Sequence, residues 1–181
     1  MHMVFDDIAG FNCRLSSWNV SRVTNMEAMF NAAKTFNQDL SNWDVSQVIG
    51  MQVMFADAFY FNQDLSKWDV SRVTNMEAMF SETQVFNQDL SKWDVSRVTT
   101  MEGMFFGAKS FDQDLSSWDV SRVVNMESMF DEATSFQQTL CGAAWVNSKA
   151  SKVDMFENCR GSISNRAVSY THLTLPTICS V

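Results

Sequence analysis

The stretch FNQDLSKWDVSRVTNMEAMF, residues 61–80, recurs in closely similar form every 25 residues along this chain of 181 residues. Tryptophan marks the same position in each copy, at Trp18, Trp43, Trp68, Trp93 and Trp118. A fixed period of about 20 to 50 residues is typical of solenoids, in which each repeat forms one coil stacked on the previous one. The spacing therefore predicts a repeat protein whose stacked coils share one continuous core.

Two periodicities within a repeat predict its local structure. Polar residues alternate with Trp68 and Val70, and this period of two predicts a short strand with its bulky side chains inside. Parallel pairing of such strands between coils would form a narrow sheet. The predicted fold class is α/β, a right-handed leucine-rich-repeat-like solenoid of 25-residue strand–helix coils with a short parallel sheet.

Residues 73–80 follow a helical spacing instead, so we expect about two turns of helix there. Thr74 and Glu77 match the S/T-x-x-E capping box of a helix start, and Asn75 is the alternative cap. Met76 and Met79 lie three residues apart, and this pair recurs in every repeat. A methionine stripe present in every coil indicates core packing rather than a copper or haem site, and we predict no cofactor.

The repeats divide the chain into four segments. Residues 1–17 correspond to a first coil that begins partway through a repeat, residues 18–142 hold five repeats, and residues 143–167 are a degenerate closing coil. Residues 168–181 share nothing with the repeats. This tail begins VSYTHLTLPT, which resembles the translation of a common sequencing adapter, and we exclude it from the predicted fold.

Charge and composition argue against several classes of function. The formal net charge is −8, and the 13 basic residues are scattered, which argues against nucleic acid or anionic lipid as a partner. No apolar run reaches the roughly 18 residues of a membrane span, and no signal peptide precedes the first repeat. With only His2 and His172, the sequence indicates neither a zinc site nor a nucleophile–base pair, so we expect no enzyme.

Cysteines offer one structural expectation. Cys141 and Cys159 flank the closing coil, and a disulfide between them would staple it, as in many secreted caps. Pairing with a cysteine outside this chain is the alternative. Cys13 lies far from both along the stack of coils.

Charged residues recur in register and would form columns on the stack. One acidic column holds Asp44, Asp69, Asp94 and Asp119, and a second holds Asp39, Asp64, Asp89 and Asp114. A basic column holds Arg22, Arg72, Arg97 and Arg122, with Gln47 interrupting it. We favour turn capping or pairing with arginine for the carboxylates. Calcium binding, with Asn37, Asn62 and Asn87 nearby, and a ligand-facing role are the alternatives.

The motifs W-D-V-S-x-V, N-M-x-x-M-F and F-N-Q-D-L-S, over about residues 4–140, resemble those of a known family. They resemble the BspA-type leucine-rich-repeat-like surface proteins, whose related repeats occur in mycoplasma lipoproteins of unknown function. The segment CGAAWVNSKASKVDMF, residues 141–156, resembles the closing segment of arrays from algae, notably diatoms. The resemblance implies a secreted or surface-displayed solenoid with no cofactor and no catalytic residues.

The function expected is non-catalytic interaction or adhesion at the surface of a cell or outside it, with a protein, matrix or glycan partner. We expect binding on the exposed strand face, at Lys67, Asp69, Ser71, Arg72, Lys92, Asp94, Ser96, Arg97, Asp44 and Asp119. A purely structural spacer with no ligand is the alternative, and a calcium-dependent binding solenoid is a third. The open edge of the first coil, around residues 15–20, also favours self-association.

Overall fold

The computed structural model of the protein describes residue 1 and residues 3–168. Three regular elements lie near the C-terminal end of the described chain: strand β1 (Thr139–Gly142), helix α1 (Ala143–Asn147) and strand β2 (Ser162–Val168). The repeats before them are built from successive turns. The prediction of a helix in each repeat is therefore wrong for the described residues.

Residues 73–80, predicted to be helical, form a row of turns that is hydrogen-bonded to the next repeat. The Met79 amide donates to the Met76 carbonyl three residues back, at 3.3 Å, as in a turn. The amide of Ala78 instead donates across the stack to the carbonyl of Glu102, at 2.8 Å. Alternating bonds of these two kinds satisfy the backbone without an α-helix, and each repeat places its turn row beside the next one.

Left-handed backbone angles explain why the helix does not form. Ala78 has φ of 49° and Glu82 has φ of 57°, and the equivalent residues of the next repeat are Gly103 and Gly107, with φ of 56° and 62°. A right-handed helix cannot continue through such residues. An isolated helix of two turns is unstable in water, whereas the turn row gains hydrogen bonds from its neighbours on both sides.

The predicted helix cap and the predicted strand pairing are also corrected. Asn75 Oδ1 accepts a hydrogen bond from the Glu77 amide at 2.9 Å, so Asn75 rather than Thr74 organises the turn. The alternation of buried Trp68 and Val70 with exposed Asp69 is present as predicted. Parallel bridges between repeats occur at the Asn75 position, however, and not at the tryptophans; they join Asn25, Gly50, Asn75, Thr100, Asn125 and Ser151 in series.

Aromatic columns fill the core. The rings of Phe80 and Phe86 stack 4.2 Å apart within one repeat, and Phe80 stacks on Phe105 of the next at 5.6 Å. The tryptophans form a parallel column in which Trp43, Trp68, Trp93 and Trp118 are at most 4% exposed, as predicted. Trp18 is 38% exposed, which corrects the expectation for the first repeat.

The closing segment completes the stack. Trp145, on α1, is fully buried, and its indole donates to the Leu115 carbonyl at 2.8 Å. β2 pairs in parallel with β1, with an irregularity between Leu140 and Gly142. The tail predicted to be non-native lies outside the described residues, except for the backbone of Val168 at the end of β2. Handedness and kinship to leucine-rich repeats stay predictions.

Candidate binding surface

The exposed charged side chains of the DLSKWDVSR motif, residues 64–72 and their equivalents in the other repeats, form one surface, which we call the ribbon. Along one repeat it presents Asp64, Lys67, Asp69 and Arg72, all exposed, between buried Leu, Trp and Val residues. The registered stacking of the repeats extends the Asp64, Asp69 and Arg72 positions into columns, whereas the Lys67 position holds lysine only there and at Lys92. Acidic and basic stripes therefore lie side by side on the surface. Of the ten residues predicted for binding, eight are exposed and two serines are half-buried: Lys67, Asp69, Arg72, Lys92, Asp94, Arg97, Asp44 and Asp119, with Ser71 and Ser96.

The carboxylates of both acidic columns are held by serine turns. Asp64 Oδ1 accepts a hydrogen bond from the Ser66 amide at 2.8 Å, and Asp69 Oδ1 accepts one from the Ser71 amide at 3.1 Å. The other members of both columns make the same turn. The capping role predicted for these residues is confirmed.

These hydrogen bonds also stabilise the charged form of several carboxyls. Donation from the amide and hydroxyl of Ser66 lowers the pKa of Asp64, with a smaller contribution from the charge of Lys67. Serine donors similarly lower the pKa values of Asp39, Asp44, Asp89 and Asp94. A carboxylate that accepts hydrogen bonds in its ionised state holds its charge to lower pH.

Arginine does not take the predicted role of carboxylate partner. Arg72 donates to Oε1 of Gln47, the residue that interrupts the basic column in the preceding repeat. Among the described residues, the Asp and Arg of a WDVSR motif form no ion pair. Arg72, Arg97 and Arg122 are all exposed at the surface of the ribbon.

An asparagine ladder borders the ribbon and was not predicted. Asn37 Oδ1 accepts hydrogen bonds from the Asn62 amide at 3.0 Å and from Gln63 Nε2 at 2.8 Å. The same pair of bonds joins each repeat to the next from Asn12 to Gln138, with the carboxylate of Asp112 as the last acceptor. The recurring F-N-Q motif was the available signal. These amide oxygens, proposed from sequence as neighbours of a calcium site, hold adjacent repeats together.

Metal-ligating side chains and cysteine thiols were the other candidate sites of chemistry. Within the described chain, no group of three or more His, Cys, Asp or Glu side chains could hold a metal ion. Cys159 carries a free thiol, so the predicted Cys141–Cys159 disulfide is wrong. Burial raises the pKa of the Cys159 thiol, which keeps it protonated at neutral pH.

Exposed apolar side chains differ between repeats. The second repeat places Ile49, 42% exposed, beside Gln47 at the ribbon edge. It also places Tyr60, 61% exposed, at a separate corner, where Lys34 Nζ lies 5.2 Å from the ring centroid of Phe59. The exposed apolar residues that distinguish the second repeat therefore lie on two separate parts of the surface.

Stacked 25-residue units that share one core and a continuous backbone hydrogen-bond network define this molecule as a repeat protein. The chain belongs to the family described as "Mycoplasma protein of unknown function, DUF285", whose model matches residues 1–84 and again residues 60–169. No curated protein and no solved structure matches the chain. None of the described helices has the length and apolar character needed to cross a membrane.

Proposed function

We propose that this protein is a non-catalytic interaction or adhesion module that binds a protein, matrix or glycan partner through the ribbon. The supporting observation is the set of neighbouring acidic and basic stripes, exposed over consecutive repeats. An extended surface of this kind suits a partner whose contacts are spread over several coils. Standard interfaces bury about 800 Å² on each partner, more than one narrow repeat offers.

The ribbon is organised before any partner arrives. Asp64 and Asp69 are fixed by Ser66 and Ser71, so their carboxylates lose little freedom on binding. Ordering a flexible side chain at an interface costs about 0.5–1.5 kcal/mol, and these turns reduce that cost. Opposite stripes side by side also favour one register of a partner over displaced ones, because displacement brings like charges together.

A pair of charge-matched variants tests the proposal. Arg72→Gln with Arg97→Gln removes two positive charges from the ribbon and copies Gln47, which the fold already accepts. Lys34→Gln with Lys109→Gln removes two exposed positive charges elsewhere. Binding would be measured to immobilised collagen, laminin and heparan sulfate. We expect about a tenfold or greater loss of affinity for the ribbon variant alone.

Two other outcomes would support other functions. No binding of the unaltered protein to any of these probes would favour a spacer array without a ligand. Calcium-dependent binding would instead identify the acidic columns as cation ligands, and a saturable rise in melting temperature with free calcium would confirm it. Equal loss in both variants would show that net charge, not the ribbon, controls binding.

We further propose that the molecule is a right-handed solenoid of the BspA-type leucine-rich-repeat-like class, displayed at a cell surface or secreted. The repeat motifs, the family match and the diatom-like closing segment support this. We propose that residues 168–181 derive from a sequencing adapter, on the match of VSYTHLTLPT alone. Self-association through the first repeat is supported by exposed Met3, Val4 and Trp18.

A further inference from the structure

One position of the ribbon departs from its column. Asp44, Asp69, Asp94 and Asp119 follow the tryptophan in four repeats, but in the first repeat this residue is Asn19. Asn19 is followed by Val20 and Ser21, and N-V-S is the only N-x-S/T motif in the sequence. This motif is the acceptor for N-linked glycans when it lies on an accessible surface.

The local geometry of Asn19 suits that chemistry. Its Oδ1 accepts hydrogen bonds from the Ser21 amide at 3.1 Å and from the Ser21 hydroxyl at 2.7 Å. The side chain is exposed, and within the described chain its Nδ2 donates to no other group. The Asx turn thus brings the serine hydroxyl to the amide oxygen and leaves the amide nitrogen facing solvent.

We propose that Asn19 is an N-glycosylation site, modified when the chain passes through a secretory compartment that carries a lipid-linked oligosaccharide donor. The proposal rests on the secretory route proposed above. In the transfer, Asn19 Nδ2 forms a bond to the anomeric carbon of the first sugar and loses one proton. The bond from that carbon to the pyrophosphate oxygen breaks, and the lipid pyrophosphate leaves with the electron pair.

The position of the glycan is compatible with a binding role for the ribbon. Asn19 heads the column that continues through Asp44 and Asp69, so the sugar would project from one end of the ribbon. The charged stripes of the following repeats would stay uncovered. Buried Val20 lies next to the acceptor and anchors its backbone in the stack.

The test directs the full chain into a glycosylating compartment, by translation with microsomes behind a cleavable secretory signal. Because the added signal directs translocation, this test of Asn19 as an acceptor does not depend on where the protein is naturally located or on whether it binds a ligand. We expect one mobility shift that is reversed by a peptide N-glycosidase. Asn19→Asp, which copies the other repeats, and Ser21→Ala should each abolish the shift, whereas Ser21→Thr should retain it.

Asp44→Asn supplies the matched control, because it creates N-V-S at a turn with the same two hydrogen bonds, from the Ser46 amide at 3.1 Å and the Ser46 hydroxyl at 2.6 Å. We expect this variant to carry two glycans, and the double variant Asn19→Asp with Asp44→Asn to carry one. Protease protection would verify translocation. Translocated wild-type chain without a glycan would overturn the proposal, whether or not the Asp44→Asn variant is modified.

Discussion

The indole nitrogen of Trp68 donates a hydrogen bond to the backbone carbonyl of Leu40, 3.0 Å away and 28 residues earlier in the chain. The bond is buried, so each tryptophan both fills the core of its own repeat and satisfies a backbone group of the preceding one. Trp43, Trp93 and Trp118 make the same bond to Leu15, Leu65 and Leu90. Cohesion between repeats therefore depends on the indole N–H as well as on apolar contact.

Trp68→Phe should lower the free energy of unfolding by about 1–3 kcal/mol, because it leaves the buried Leu40 carbonyl without its donor. Trp68→Ala should lower it by about 3–5 kcal/mol through the added cavity. Urea unfolding measures both. Trp18→Phe is the control, since Trp18 is 38% exposed whereas Trp68 is 4% exposed. Equal effects at the two positions would contradict this role of the hydrogen bond.

Exchange of alanine and glycine at one turn position should change stability in opposite directions. Ala78 has a left-handed φ of 49°, and its equivalent in the next repeat is Gly103. Ala78→Gly should stabilise the folded protein and Gly103→Ala should destabilise it, each by about 0.5–1 kcal/mol. This is the net effect, because the relief of backbone strain by glycine is partly offset by the greater entropy that glycine gives the unfolded chain. Thermal unfolding would compare them. Destabilisation by Ala78→Gly would show that the left-handed angle is not strained there.

Acid should weaken the serine turns. The pKa values of Asp39, Asp64 and Asp89 are below the ordinary 3.8 when the protein is folded. Their stabilising contribution is therefore complete above that pH and is lost as the pH falls through 3.8 toward the lower folded values. Urea midpoints at pH 7, 5 and 3 should fall most between 5 and 3.

Replacing these three carboxyls with asparagine should reduce that acid loss. Asn19 shows that an amide oxygen accepts from the serine equally well, at 3.1 Å from the Ser21 amide. An unchanged acid loss in the triple variant would assign the effect to other carboxyls.

The second repeat lacks one turn that can be restored. Gly50 stands where Asn75 holds the amide of Glu77, and Gln52 Oε1 nearby is buried without a partner. An added Cβ at Gly50 would lie 2.9 Å from that Gln52 atom, so the flexible end of Gln52 must move. Gln52→Glu would restore the pair of the first repeat, in which Asn25 Nδ2 donates to Glu27 Oε2 at 3.4 Å. Gly50→Asn with Gln52→Glu should raise stability by about 1 kcal/mol. A lower melting temperature than that of the unaltered protein would contradict the proposed defect.

Amide hydrogen exchange should differ between the first repeat and the middle. The amides of Trp18 and Trp93 each donate to a leucine carbonyl three residues back, at 2.9 and 3.0 Å. Only Trp93 is buried, so its amide should exchange much more slowly. Because the local bond is the same, the difference reports the stability of the surrounding repeats. Equal protection in a monomeric sample would show that the first repeat is as stable as the others.

The sequence predicted which residues are buried more accurately than it predicted the conformation of the backbone. Spacing alone identified the tryptophan column, because burial depends on the period of the repeat. Met76 and Met79 suggested a helix because a row of tight turns also returns to the same side after three residues. The difference lies in left-handed angles, for which Gly103 and Gly107 were the sequence signal.

The same limit applied to the ribbon. Turn capping by Asp64 could be predicted together with arginine pairing, but its actual partner, the serine two residues later, was identified only in the structure. The Asn37 ladder joins residues 25 and 26 positions apart, so it is visible only once the repeats are stacked in register.

Because the repeats stack in the same register, deleting or duplicating a whole repeat should change the length of the stack by one fixed step. Residues 61–74 and residues 86–99 have identical sequences, so excision of residues 62–86 leaves each junction residue with neighbours of the same type. Trp93 would then meet Leu40 instead of Leu65, with the same chemistry. Each such deletion or duplication would shorten or lengthen the stack by one coil, about 4.8 Å for the parallel bridges that join neighbouring repeats. The length of the molecule is therefore proportional to the number of its repeats.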